Sequence, residues 1–237
     1  MKMVLIHGQN HKGSTYMIAQ ELAEKIKSLS GETEITEYFL PAAFDESCMG
    51  CYTCFQNDLT KCPHYAKLAP IAEAMLDADL LILDSPVYVY HATGQMMRFL
   101  DHFGTWWVVH SPRPEMCHKQ AVVIATAAGG GMKSTTKDMA DSMEMWGIAK
   151  VYRYGVGVQA VNPKEIPAWI QKKIHQKTDK LAAAVCRNAG KCGMNRRAKK
   201  WFYLMRFAHK HFPPMEPDHG YWEKQGWHGK GRPWKQK

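Results

Sequence analysis

The sequence predicts a doubly wound α/β fold. Its core is a five-stranded parallel sheet of order 2-1-3-4-5 between two helical layers, followed by a helical and irregular C-terminal extension. Three observations carry this. Several short apolar runs show no polar alternation, as strands buried on both faces require. Segments with helical periodicity separate them, so successive strands need crossovers. The 237 residues suffice for one α/β domain with an appendage.

In chain order, Lys2–His7 is an apolar strand ending at Gly8, and Ser14–Leu29 places Ile18, Leu22, Ile26 and Leu29 on one helical face. Glu34–Leu40 alternates as a second strand, and residues 41–64 form a long loop with four cysteines. A short helix follows at Leu68–Leu76, then the central strand Ala78–Leu83. Gly94–Trp107 is helical, Gln120–Thr126 is an all-apolar strand and Gly131–Trp146 is a helix. Lys150–Val156 is the last strand, and Pro163–Arg187 is a long helix with proline near its start. Residues 1–187 form the domain and residues 188–237 the extension.

In this strand order ligands bind beyond the carboxyl ends of the strands, where the order reverses. The loops after strands 1, 3 and 4 are therefore the candidates. The first is Gly8-Gln9-Asn10-His11-Lys12-Gly13-Ser14-Thr15. A loop that opens a helix aims free backbone N–H groups at an anion. Ser14 and Thr15 add hydroxyls, and His11 and Lys12 add charge. The spacing of Gly8 and Gly13 resembles a nucleoside-triphosphate loop, but Ser14 stands where that motif has lysine. A monophosphate fits better, with a plain helix cap as the alternative. The second loop is Ser85-Pro86-Val87-Tyr88-Val89-Tyr90, stiffened by Pro86, a rigid edge for a flat heteroaromatic ring. The third is Thr126-Ala127-Ala128-Gly129-Gly130-Gly131, whose glycines permit close backbone approach. A turn with surface tyrosines and a flexible connection are the alternatives for these two.

These three loops resemble those of the NADPH-dependent FMN reductase family of flavodoxin-like proteins, including its iron–sulfur flavoprotein branch. The likeness spans residues 1 to about 160. The family's Gly-Ser-x-Arg-x-Gly-x-Thr phosphate loop is matched at Gly8, Lys12, Gly13, Ser14 and Thr15, with Gln9 and His11 departing from it. Its Ser-Pro-x-Tyr element is matched by Ser85-Pro86-Val87-Tyr88. The family's Met-Lys-x-Phe-Leu-Asp-Arg helix is approximated by Met97-Arg98-Phe99-Leu100-Asp101-His102, and its glycine loop by Gly129-Gly130-Gly131. The resemblance implies an FMN-dependent oxidoreductase with NAD(P)H as cosubstrate and a small-molecule electron acceptor. FMN would be held by Gln9, Asn10, His11, Lys12, Gly13, Ser14, Thr15, Ser85, Pro86, Val87, Tyr88, Thr126, Gly129 and Gly130. No protein acid or base is expected, since the cofactor carries the chemistry; His91 and Tyr88 are expected on the substrate face. An electron carrier fed by a ferredoxin and a non-catalytic binding module are the rival readings.

The run Cys48-x2-Cys51-x2-Cys54-x7-Cys62 is the sharpest local signal. Four closely spaced thiols suit an iron–sulfur cluster, a structural zinc or a metal-free thiol loop. The resemblance points to a [4Fe-4S] cluster. Cys117, Cys186 and Cys192 are isolated, Cys117 and Cys186 reading as small, partly buried residues.

The net charge of +9 is concentrated at one end. Residues 187–237 hold 13 Lys/Arg and 3 Asp/Glu, while the remainder is near neutral. Arg196–His211 reads as a helix with Trp201, Met205, Ala208 and Phe212 along one stripe, followed by Pro213-Pro214 and by Tyr221, Trp222, Trp227 and Trp234. Basic and aromatic residues together suit packing on the body or across a homodimer, a membrane surface or an acidic protein; nucleic acid is the weakest of these readings. With no apolar run near the ~20 residues of a membrane span and no leader-like start, the expected location is cytoplasmic.

Overall fold

The computed structural model describes residues 1–213 and 216–236. Five strands, β1 Lys2–His7, β2 Glu34–Phe39, β3 Leu80–Pro86, β4 Gln120–Ala127 and β5 Lys150–Gly157, form one sheet of order β2-β1-β3-β4-β5. Every pairing is parallel. The helices are α1 Ser14–Ser30, α2 Thr53–Gln56, α3 Tyr65–Asp77, α4 Gly94–Asp101, α5 Met132–Met145, α6 Ala168–Asn188, α7 Arg196–His211 and α8 Asp218–Lys224.

Successive strand side chains point to opposite faces, and this divides the core. Val4, Ile6, Leu81, Leu83 and Val123 pack with α3, α4 and α5 through Ile71, Met75, Met96, Phe99, Met139 and Trp146. Met3, Leu5, Ile82, Val122 and Ile124 pack on the other side with Ile18, Leu22 and Ile26 of α1 and Ile170, Ile174 and Leu181 of α6. Both faces are thus covered, which is why the strands read as unbroken apolar runs.

Two expected helices are shorter than their patterns suggested. The segment from Gly94 ends its α-helix at Asp101 and continues as a 3₁₀ turn over Gly104–Trp106. A Cβ at Gly104 would sit 3.0 Å from Cζ of Phe55, so glycine here admits the cysteine loop against the helix end. The last helix of the domain starts at Ala168, after a 3₁₀ turn at Pro163–Glu165. Pro167 disfavours helical backbone at Ile166 and sets that boundary.

The extension folds back on the body. Phe202, Trp222 and Trp227 are fully buried in a third apolar cluster with Val108, Cys117 and Met145 of the body. Asn195 caps α7 by accepting from the Ala198 amide, and its Nδ2 donates to the carbonyls of Glu144 and Ile148 at 2.8 and 2.9 Å. Trp222 Nε1 donates to the His110 carbonyl at 2.6 Å, and the Tyr221 hydroxyl donates to that of Pro112 at 3.0 Å. The tail aromatics expected to need a partner surface find much of it here. Cys117 is fully buried in this cluster, more deeply than its sequence context suggested.

His209 of α7 lies edge-on to Trp222 at 4.8 Å, buried, with neither ring nitrogen hydrogen-bonded among the described residues. Burial pushes its pKa down, and His228 and His219 add to this against the opposing pull of Asp218 and Glu216. The folded state therefore binds fewer protons than the unfolded one near and below pH ~6.5. Stability from this site is present above that pH and is lost as pH falls. Thermal melts at pH 7.5 and 5.5 should show a smaller acid loss for His209→Phe than for the wild type, the difference staying below about 1.4 kcal/mol per pH unit.

Candidate functional site

The carboxyl ends of β1, β3 and β4 surround a cavity of about 220 Å³. It is built on a polar strand junction. The Gly8 amide donates to the Asp84 carbonyl at 2.7 Å, and the Thr93 hydroxyl donates to the Gly8 carbonyl at 2.6 Å. The Thr93 amide donates to Ser85 Oγ at 2.9 Å. Across the cavity, the hydroxyls of Thr15 and Thr126 are 2.6 Å apart, which ties the first helix to the end of β4. The Val87 amide donates to the Thr126 carbonyl at 2.9 Å and locks the second loop to the third.

Helix α1 opens into this cavity. Its N-cap is Gly13, no side chain caps its first amides, and its first turn carries no acidic residue. Unsatisfied amides at a helix start attract anions, and Ser14 and Thr15 stand beside them as buried hydroxyls.

Of the residues expected from sequence, Gln9, His11, Gly13, Ser14, Thr15, Pro86, Val87 and Thr126 line the cavity. The others lie around it. Ser85 is buried beneath it as the acceptor for Thr93. Asn10 is exposed in a neighbouring depression with Pro41 and Ala43. Lys12 turns toward the β2 side, 5.2 Å above the ring of Tyr16. Gly129 and Gly130 are exposed. The third glycine of that loop, Gly131, has φ +93 and would drive a Cβ to 2.6 Å from Cγ1 of Val87.

Tyr88 is half exposed at the start of a tight turn. The amides and carbonyls of Tyr88 and His91 pair at 2.9 Å each way, and the central residues Val89 and Tyr90 have φ 49 and 67. Left-handed backbone costs a residue with a Cβ about 1–2 kcal/mol, so this turn is strained beside the cavity. His91 is exposed, its Nδ1 3.4 Å from an Asp138 carboxylate oxygen.

Sequence reasoning missed His7, Tyr16, Asp84 and the segment after β5 that supplies Val158, Ala160 and Val161 to the wall. His7 and Asp84 had a readable signal, each being the polar end of an apolar strand. They are register partners across β1 and β3. His7 Nδ1 and Asp84 Oδ2 are 2.5 Å apart with both residues almost wholly buried. Burial raises the Asp84 pKa, opposed by the hydrogen bond and charge of His7. His7 Nε2 is buried without a hydrogen bond, 3.9 Å from Glu37 Oε1.

The four cysteines Cys48, Cys51, Cys54 and Cys62 line a second cavity together with His64, Asp101 and His102. Cys48 and Cys51 are exposed, and Cys54 and Cys62 are half-buried. Hydrogen bonding with Thr53 draws the Cys51 thiol down, whereas burial pushes Cys54 and Cys62 up. No helix of the described residues is long and apolar enough to cross a membrane.

An iron-sulfur flavoprotein of Archaeoglobus fulgidus is 29% identical over 101 residues, 43% of this chain and 48% of that protein, so the chain spans about half the length of this relative. A second Archaeoglobus fulgidus iron-sulfur flavoprotein is 28% identical over 185 residues, covering 78% of this chain and 80% of that one. Among solved structures, a flavone reductase superimposes with a TM-score of 0.57 at 18% identity over 78% of this chain and 63% of that one, a likeness of fold. The family model for NADPH-dependent FMN reductase matches residues 1–161, and the chain belongs to that family.

Proposed function

We propose that the protein is an FMN-dependent oxidoreductase that takes reducing equivalents from NAD(P)H and delivers them to a small acceptor such as a quinone or a flavin. The observation that carries this reading is the uncapped start of α1, which faces the cavity at the strand ends with no acidic residue in its first turn. Such a cradle fits the terminal phosphate of FMN. The Ser14 and Thr15 hydroxyls and the first-turn amides would hold that phosphate, with Gln9 and His11 at its edge. Pro86, Val87, Ala127 and Ala128 would present rigid backbone to the ring. Bound FMN supplies the hydride and electron transfer; the chain binds it, orients it and keeps one ring face accessible beside Tyr88.

The exposed face of α7 supports a further part of the reading, a homodimer. Trp201, Tyr203, Leu204 and Phe207 remain exposed there, with Phe212 just past its end, and a second copy of the chain would cover them. The four thiols of the second cavity have the donor chemistry of a [4Fe-4S] cluster on Cys48, Cys51, Cys54 and Cys62, and equally that of zinc.

The test is fluorescence quenching of FMN titrated with purified protein, followed by NADPH addition under anaerobic conditions. Micromolar or tighter FMN binding and bleaching of the flavin band by NADPH are expected. Binding without bleaching would instead favour an electron carrier supplied by another protein. Absence of binding would overturn the flavoprotein reading.

A further inference from the structure

We propose that Cys62, His64 and His102, with Cys54 as fourth ligand, form a tetrahedral site for a single zinc ion, in place of a four-thiol cluster. The proposal concerns a cavity separate from the α1 cradle and does not depend on FMN binding.

Spacing is the first argument. One ligand atom from each of Cys62, His64 and His102 lies within 4.8 Å of the other two, and His64 Nδ1 is 3.0 Å from His102 Nε2. Zinc binds nitrogen at about 2.0–2.1 Å and sulfur at about 2.3 Å, which places tetrahedral donors about 3.3–4 Å apart. The three donors need only small shifts to share one ion. Cluster ligands bind different irons and stand farther apart.

The far nitrogens give the second argument. Metal-bound histidines usually donate their other ring N–H to a carbonyl or a carboxylate. His102 Nδ1 lies 2.8 Å from the Arg98 carbonyl, which can only accept. A neutral ring donating there carries its lone pair on Nε2, the atom that faces His64. His64 Nε2 in turn lies 4.0 Å from Glu46 Oε2. The outer nitrogen of His102 thus meets an acceptor, that of His64 points to a carboxylate just beyond hydrogen-bond reach, and the inner nitrogens face each other.

Packing fixes this arrangement. His102 is 3% exposed and meets Phe44 edge-on at 4.8 Å. Phe55, next to Cys54, packs on Gly104 and lies 4.9 Å from the His110 ring. Cys54 lies outside the group of three within 4.8 Å but is the remaining half-buried thiol of the same cavity, whereas Cys48 and Cys51 face solvent, so a shift of its loop would complete the site. Two thiolates and two neutral imidazoles would balance a divalent zinc and pin the cysteine loop to the end of α4. Four protein ligands would leave no open position on the ion, so the site is structural.

The experiment is metal and acid-labile sulfide analysis of the full chain, purified anaerobically from cells grown with both zinc and iron. The expected result is on the order of one zinc per chain with little iron or sulfide. His64→Asn should lower zinc affinity at least tenfold in competition with a chromophoric chelator, and Cys54→Ser likewise, while Cys48→Ser retains wild-type affinity. Circular dichroism confirms the fold of each variant, and should His102→Asn fail to fold, His64→Asn decides. About four irons with matching sulfide, loss of metal in Cys48→Ser with retention in His64→Asn, or no bound metal would each overturn the proposal.

Discussion

Replacing Ser14 and Thr15 together with alanine will weaken FMN binding by about 100-fold or more. A hydrogen bond to a charged group contributes about 1.5–3 kcal/mol, and the double substitution removes the two such bonds that the proposed phosphate site would make. At about 1.4 kcal/mol per tenfold, the lower figure already gives two decades. The fold should survive, because neither hydroxyl caps α1. Thr15 does lose its contact with Thr126, so a modest fall in stability is expected beside the large fall in affinity. Riboflavin, which lacks the phosphate, supplies the control. Its affinity should be nearly the same in wild type and double variant. A double variant that bound FMN as the wild type does would show that the phosphate lies elsewhere.

Asp84→Ala will destabilise the protein by about 3 kcal/mol or more. The substitution leaves the buried His7 ring with neither nitrogen hydrogen-bonded, since Nε2 already has no such partner. Losing one member of a buried pair costs several kcal/mol because the other stays desolvated. In a chain of this size that corresponds to a fall in Tm of roughly 6–12 °C. Asp84→Asn keeps an acceptor at the same place and should cost clearly less. The sign of the pH effect follows from the raised pKa of Asp84. The folded state holds the proton more tightly than the unfolded state, so this carboxyl's contribution declines as pH rises through its folded pKa. Thermal melts of the two variants from pH 4 to 8 would check both statements.

The sheet was legible because each strand is buried on both faces, and continuous apolar runs such as Leu80–Leu83 admit few other readings. The first loop was legible as a candidate anion site for a related reason: a strand, a glycine-bounded turn and a helix start in succession leave free amides in one place. Other parts depended on relations that a linear pattern does not carry. His64 and His102 are 38 residues apart, and only the return of the cysteine loop onto the end of α4 brings them together. The left-handed pair Val89 and Tyr90 defies local preference, so no turn signal marked it. The docking of the tail follows from shape, since Trp222 and Trp227 would look the same in sequence if they faced a lipid or a second subunit.

That docking also makes the molecule its own optical gauge. Trp106 and Trp146 sit in the body, Trp222 and Trp227 sit where the tail meets it, and Trp169 and Trp201 are open to solvent. Indole emission moves to longer wavelength when water reaches the ring. Release of the tail would therefore redden the Trp222 and Trp227 component while Trp106 and Trp146 kept their blue emission. Global unfolding would shift all four. One emission spectrum, recorded during a denaturant titration, thus separates loosening at the C-terminal end from collapse of the sheet, without a label at any position.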